Sequence, residues 1–286
     1  MSLPYIFLFF TSFSCLLTKK KFIPIFLCGL SIFTALFYGV INYYGLLSIG
    51  IFYGIAYTYF KNYYISNVLK FLRLLLLLLI AACFAFHIIP GFQNDLVLDR
   101  IVISSSSIPF SMYLNFDKTM MGIILFLSSN LYDNEKQLNL KSLAITLLLA
   151  ASCSLLMMIL GVLFGYIKFD FKIPNIIFIW CLNNLFFVCF TEEILFRGII
   201  QNQLKYLRLD KYIPHIHLIL ASLIFGLAHF KGGELYILLA FMTSIFYGFA
   251  YEITGRILCA ILVHFYLNFI HIIFFTYPMA NNAITH

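Results

Sequence analysis

The chain has 286 residues, 63% of them hydrophobic and only 10% charged, with 34 Phe, 19 Tyr and a mean hydropathy of +1.00. An apolar excess of that size excludes a soluble globular domain. The formal net charge of +7 does not indicate nucleic acid, because the cations are scattered over short connections instead of gathered in one stripe.

Runs such as LRLLLLLLIAACFAF show no apolar–polar alternation, so helices and not a β-barrel are expected. The predicted fold class is all-α, a polytopic transmembrane helix bundle of roughly eight to ten helices. In chain order the predicted helices are 3–17, 22–43, 46–60, 72–91, 119–132, 143–166, 174–200, 212–230, 235–252 and 257–276. Lys19, Lys20 and Lys21 read as a topology anchor. The polar stretch that begins at Gln93 is read as the longest loop, with Ser104 to Ser107 inside it. No repeat and no soluble linker interrupts the pattern. Residues 1–142 are taken as N-terminal membrane helices and a loop of unassigned role, and 143–286 as the membrane-embedded core that carries the motifs below. The N-terminus lacks a basic region before its first apolar run, so no removable signal peptide is expected.

Counting cations gives an orientation. With the N-terminus outside, the inner connections hold Lys19, Lys20, Lys21, Lys61, Lys70, Arg73, Lys136, Lys141, Lys205, Arg208, Lys211 and Arg256. The outer ones hold Arg100, Lys118, Lys168, Lys172 and Lys231. The excess inside favours that orientation. The cysteines at 15, 28, 83, 153, 181, 189 and 259 lie almost all within apolar runs and form no CxxC, so buried free thiols are expected.

Against this background the stretch TEEILFRG, residues 191–198, stands out. A charge near the bilayer centre costs about 2.5–3.5 kcal/mol and usually faces the bundle interior with a partner. On an α-helix Glu193 and Arg197 share a face, four residues apart with the acid first, so they are expected to neutralise each other. Glu192 points about 100° away, which leaves it without that partner and suited to accept a proton. The next helix ends in SLIFGLAHF, with Phe225 and His229 four apart. The last carries ILVHFYLNFIH, where His264, Asn268 and His271 fall on one face.

Packed helices can bring these sets to one cavity. Glu192 and His229 suit the holding and deprotonation of a water, and His264 and Asn268 suit donation to an oxyanion, a combination fit for amide hydrolysis. The same Glu192, His229 and His264 are also of the types that ligate Zn²⁺, although HExxH is absent. Each set has a plainer reading: a helix-end salt bridge for Glu193 and Arg197, a solvated terminal histidine for His229, interhelical hydrogen-bond glue for His264 and Asn268. His215 and His217 are expected at the membrane surface, and His87 near an interface. A reading from another class is a non-enzymatic transporter or immunity-like binding protein, since buried charges also mark transport pathways. No pair of similar halves supports a transporter.

EEILFRG resembles the EExxxR motif of the CPBP family of intramembrane proteases, the CAAX-protease and bacteriocin-processing family. FGLAH resembles its FxxxH motif and HFYLN its HxxxN motif, in the same order. YGFAYEITGRILCAILVHFYLN, with Thr254 and Gly255 in a turn, is similar to the approach to the third motif, although Arg256 stands where a serine is often found. The resemblance covers roughly residues 175–276. It implies Glu192 as general base, His229 as holder of the same water, and His264 and Asn268 as the oxyanion site. Glu193, Arg197 and Phe225 take supporting positions. It implies a glutamate-type protease with no cofactor favoured and zinc as the alternative. It also implies a membrane-associated protein or peptide as substrate, the lipid bilayer as surroundings, no nucleic acid, and a bacterial inner membrane as location.

Overall fold

The computed structural model describes residues 1–61, 66–129, 131, 138–206, 208–281 and 283. Among them the chain forms ten helices and one two-stranded sheet, an all-α polytopic bundle. The helices are α1 (Leu3–Leu17), α2 (Phe22–Phe37), α3 (Tyr43–Lys61), α4 (Asn67–Ala85), α5 (Phe116–Ser128), α6 (Leu140–Leu163), α7 (Ile177–Lys205), α8 (Ile216–Ala228), α9 (Glu234–Thr254) and α10 (Ile257–Phe274). Five of these, α4, α6, α7, α9 and α10, are long and apolar enough to cross a membrane unaided, while α1, α2 and α8 are apolar but shorter.

The predicted spans differ from these helices mainly at their ends, and the differences have local causes. Helix α2 stops at Phe37 and not at 43, because Gly39 takes a left-handed φ of 73° that reverses the chain. The Asn42 side chain then accepts from the amides of Tyr44 and Gly45, starting α3 early. Helix α4 begins at Asn67, ahead of the expected 72, because Ser66 Oγ accepts from the Leu69 amide as an N-cap. The end expected at 132, and Lys136 of the charge count, lie outside the described residues. The stretch read as a loop contains a hairpin of β1 (Asp95–Ile101) and β2 (Phe110–Leu114), where Val, Leu, Ile and Tyr favour extended backbone. Ser104 to Ser107 form its turn.

The chain divides into two compact bodies. The first comprises Met1–Leu96, Tyr113–Asn134 and Phe186–Ile194. At its centre lies α5, buried on nearly every side and packed by α1, α3, α4 and the Phe190–Glu193 turn of α7. Beyond the polar Asp117–Thr119 of its start, this 13-residue helix is apolar on every side, as befits an interior and not a surface. Tyr5, Phe116 and Phe187 meet there as an aromatic cluster.

The second body comprises Val97–Met112, Glu135–Leu185 and Leu195–His286. In it α6 packs on α9 and α10, and α9 packs on α8 and α10. Trp180 is buried against Ile272, Ile273 and Met112, and its indole N–H donates to Tyr277 Oη at 3.0 Å. Helices α8 and α9 touch closely at Gly226, where a Cβ would lie 2.8 Å from the Ile237 carbonyl oxygen and 2.9 Å from Phe241 Cβ. Gly226→Ala is therefore expected to push the two helices apart. Overpacking of this kind costs about 1–3 kcal/mol, measurable as a lower unfolding temperature of the detergent-solubilised protein.

Helix α7 is not a uniform α-helix. Residues Asn184–Cys189 and Ile194–Gln201 wind as π-helix, and between them Phe190–Glu193 forms a single α turn. Wide turns of this type are rare and are frequently found at functional sites. The two glutamates therefore sit on the short regular turn between two wide ones.

Candidate active site

The predicted residues fall in both bodies. Glu192 and Glu193 belong to the first, and Arg197, Phe225, His229, His264 and Asn268 to the second.

In the second body His229, His264, Asn268 and Phe225 line one cavity of about 90 Å³. On that measure a water needs roughly 10–15 Å³, so several fit. The wall also includes the apolar Met157, Leu239 and Ala240 and the polar residues Tyr166, Tyr236, Thr243, Tyr247 and His271. A few polar groups converging in an otherwise apolar pocket is the usual build of a small-molecule or reaction site.

His229 terminates α8. Its Nδ1 lies 2.8 Å from the Phe225 carbonyl oxygen, one turn earlier. A carbonyl only accepts, so Nδ1 carries the proton, and in the neutral ring Nε2 keeps its lone pair. The spacing of Phe225 and His229 thus works twice: the backbone at 225 fixes the tautomer, and the Phe225 ring packs on the imidazole at 4.5 Å. Tyr236 flanks the same ring edge-on at 5.5 Å. His264 stacks almost parallel on Tyr247 at 4.5 Å and meets Phe225 edge-on at 5.9 Å. Asn268, one turn further along α10, donates to Asn184 Oδ1 at 3.2 Å. His271 completes the face, its Nε2 donating to the Thr276 carbonyl at 3.1 Å. Tyr166, in the connection after α6, stacks on Tyr236 at 5.8 Å. Burial, reinforced by Tyr236, pushes its phenol above its ordinary range, so it stays protonated as a hydrogen-bonding hydroxyl.

Arg197 underlies this cavity wall. It is fully buried, donates to Ser244 Oγ at 2.6 Å, and holds its guanidinium 5.3 Å from the Phe225 ring centre and 5.9 Å from that of Tyr247. Those two rings are the ones that pack on His229 and His264. The expected same-face register of Glu193 and Arg197 assumed 3.6 residues per turn. From Ile194 the ladder runs to i+5, a wider winding that still keeps residues four apart near one face. Glu193 is itself fully buried.

In the first body Glu192 does not stand unpartnered, as the sequence suggested. Lys118 Nζ, from the first turn of α5, donates to Glu192 Oε1 at 2.6 Å, and the two side chains are 17% and 11% exposed. The sequence offered no local cue, because the partner lies 74 positions away. Lys118, read as part of an outer connection, lies in the first turn of α5.

Three other histidines have acidic partners. His217 is buried, with Nδ1 2.5 Å from Asp210 Oδ1 and Nε2 3.5 Å from Glu252, whereas His215 is exposed beside Glu252. His87 pairs with the buried Asp117. Besides Lys118, sequence reasoning missed Asn184 and Tyr247. An asparagine pair in an apolar helix was the available signal for the first, and none existed for the second. Among the described residues no three His, Cys, Asp or Glu side chains are grouped so as to hold a metal ion. The seven cysteines form no disulfide; Cys15, Cys153, Cys189 and Cys259 are buried as expected, whereas Cys28, Cys83 and Cys181 are half-buried.

The comparisons agree with the motifs. Residues 173–270 match the family described as type II CAAX prenyl endopeptidase Rce1-like, which bears out the resemblance to the CPBP proteases. Bacillus subtilis (strain 168) has a relative described as uncharacterized protein YpbD, 34% identical over 99 residues. That match covers 34% of this chain and 43% of the relative, so the chain spans less than half the length of that protein. No solved structure matches the chain.

Proposed function

We propose that the chain is an intramembrane endopeptidase that hydrolyses a peptide bond of a membrane-associated protein or peptide. The observation that carries this reading is the cavity lined by His229, His264 and Asn268 in a segment that matches a CAAX prenyl endopeptidase family. The family description points to substrates anchored by a lipid, and a bacterial inner membrane suits the kinship with the Bacillus protein.

The steps follow from the residue types. Glu192 takes a proton from a water whose second contact is the Nε2 lone pair of His229. The water oxygen attacks the carbonyl carbon, and the carbonyl π electrons move onto oxygen. His264 and Asn268 donate to that oxyanion. When the tetrahedral centre collapses, the C–N bond breaks and the proton passes from Glu192 to the leaving amine, so the base is regenerated. Removing one oxyanion donor typically costs about 10²–10³ in kcat. Burial strengthens each of these contacts relative to water.

A comparison of membrane proteomes from cells carrying active protein or its Glu192→Gln form tests the reading. A shortened membrane-associated protein or peptide is expected only with the active form; identical proteomes overturn it. In proteoliposomes, saturating chelator is expected to leave the rate of cleavage of such a substrate unchanged, because the base is a carboxylate. A rate lost to chelation and restored by Zn²⁺ would replace the glutamate-type mechanism with a metal one.

A further inference from the structure

We propose that Lys118 is a positioning residue for the reaction, an ammonium that holds the Glu192 carboxylate in its working place from a helix outside the family match. The inference rests on the reading of Glu192 as the base.

Three observations carry it. First, the Lys118–Glu192 hydrogen bond is short, at 2.6 Å, and both side chains are largely withdrawn from solvent. An exposed pair of this kind is loosely held, whereas a withdrawn pair exchanges little with water and keeps one geometry. Second, the turn that carries Lys118 is fixed on both sides. The neighbouring Asp117, only 1% exposed, accepts from His87 Nδ1 at 2.8 Å, from Asn94 Nδ2 at 3.0 Å and from the Lys118 amide at 2.7 Å. The Asn94 Oδ1 accepts in turn from the Phe116 amide at 2.8 Å. The start of α5 is thus anchored before the lysine side chain leaves it. Third, α5 touches α7 beside the glutamate. Gly122, one turn beyond Lys118 on the same face, faces Thr191, and a Cβ there would lie 2.9 Å from Thr191 Oγ1 and 3.0 Å from its Cα. Only a glycine lets the two backbones come that near, and the residue approached is the one before Glu192.

A lysine that merely compensates a buried charge would affect folding alone. A positioning lysine also affects turnover, because displacing a reacting group by about 1 Å costs on the order of 10²-fold in rate. Full-length protein in proteoliposomes is assayed as wild type, Lys118→Met, Lys118→Arg and Gly122→Ala, with kcat, KM and unfolding temperature measured for each. Lys118→Met is expected to lower kcat by about tenfold to a hundredfold with KM within twofold, and Lys118→Arg to recover most of that loss. If the methionine variant does not fold, Gly122→Ala decides, because it retains both charges while moving α5 off α7; the same fall in kcat is expected. Wild-type kcat in whichever of these folds overturns the role of Lys118. Glu192→Gln separates the two levels. A dead Glu192→Gln beside a wild-type Lys118→Met removes the lysine alone, and an active Glu192→Gln removes the base and the lysine with it.

Discussion

Glu192→Gln is expected to lower kcat by about 10²–10⁴-fold, the usual contribution of a positioned general base, while the protein still folds. Glutamine keeps the length and planarity of the side chain, and its amide oxygen still accepts from Lys118, 2.6 Å away in the parent. What it lacks is a site that binds a proton under working conditions. The buried ammonium then faces a neutral partner, which costs stability but leaves the shape of the first body intact. The measurement is single-turnover cleavage in proteoliposomes together with thermal unfolding. A variant that folds and retains even a tenth of the parental rate would show that the carboxylate is not the base.

Arg197→Ala is expected to have the largest effect on stability. The guanidinium is fully buried beneath Phe225 and Tyr247 and hydrogen-bonded to Ser244. A desolvated cation–π contact contributes roughly 2 kcal/mol and a hydrogen bond to a charged group about 1.5–3 kcal/mol. Truncation also leaves a void the volume of an arginine side chain. At about 2–4 °C per kcal/mol for a chain near this size, the unfolding temperature should fall by on the order of 10 °C. Because Phe225 and Tyr247 carry the rings of His229 and His264, the surviving folded fraction should also turn over slowly. Arg197→Lys is expected to recover little, since a lysine lacks the planar fork that lies along the two rings. An alanine variant as stable as its parent would mean that the rings are held by other contacts.

The helices were legible because apolar length is a strong and local signal in a membrane chain. Eight of the ten predicted spans begin within three residues of the observed helix; α8 begins four residues late, and α4 five residues early, at a serine cap whose effect is confined to one turn. The hairpin at Asp95–Leu114 was missed because strand pairing depends on a partner segment and not on the stretch alone. Three of the candidate polar groups, His229, His264 and Asn268, line one cavity because four-residue spacing survives wherever the helix is regular, as it is in α8 and α10. In α7 the winding itself changes from Ile194 onward, which no spacing rule announces. Lys118 was illegible for a different reason. A contact across 74 positions leaves no trace in periodicity, and a lone lysine ahead of an apolar run looks like any topology signal.

The two wide stretches of α7 make residue count as important as residue type. Each carries backbone in excess of a regular winding between Asn184 and Gln201. Excising one residue from the upstream stretch would let it relax to ordinary pitch. The flanking faces would stay nearly in register, because the lost residue is the surplus one, whereas a residue lost from the regular Phe190–Glu193 turn would swing its neighbours by about 100° and shift them by about 1.5 Å, taking Glu192 off Lys118. A redesign of this chain can exchange many of the apolar letters in that span, but it must keep the number of residues in the regular turn.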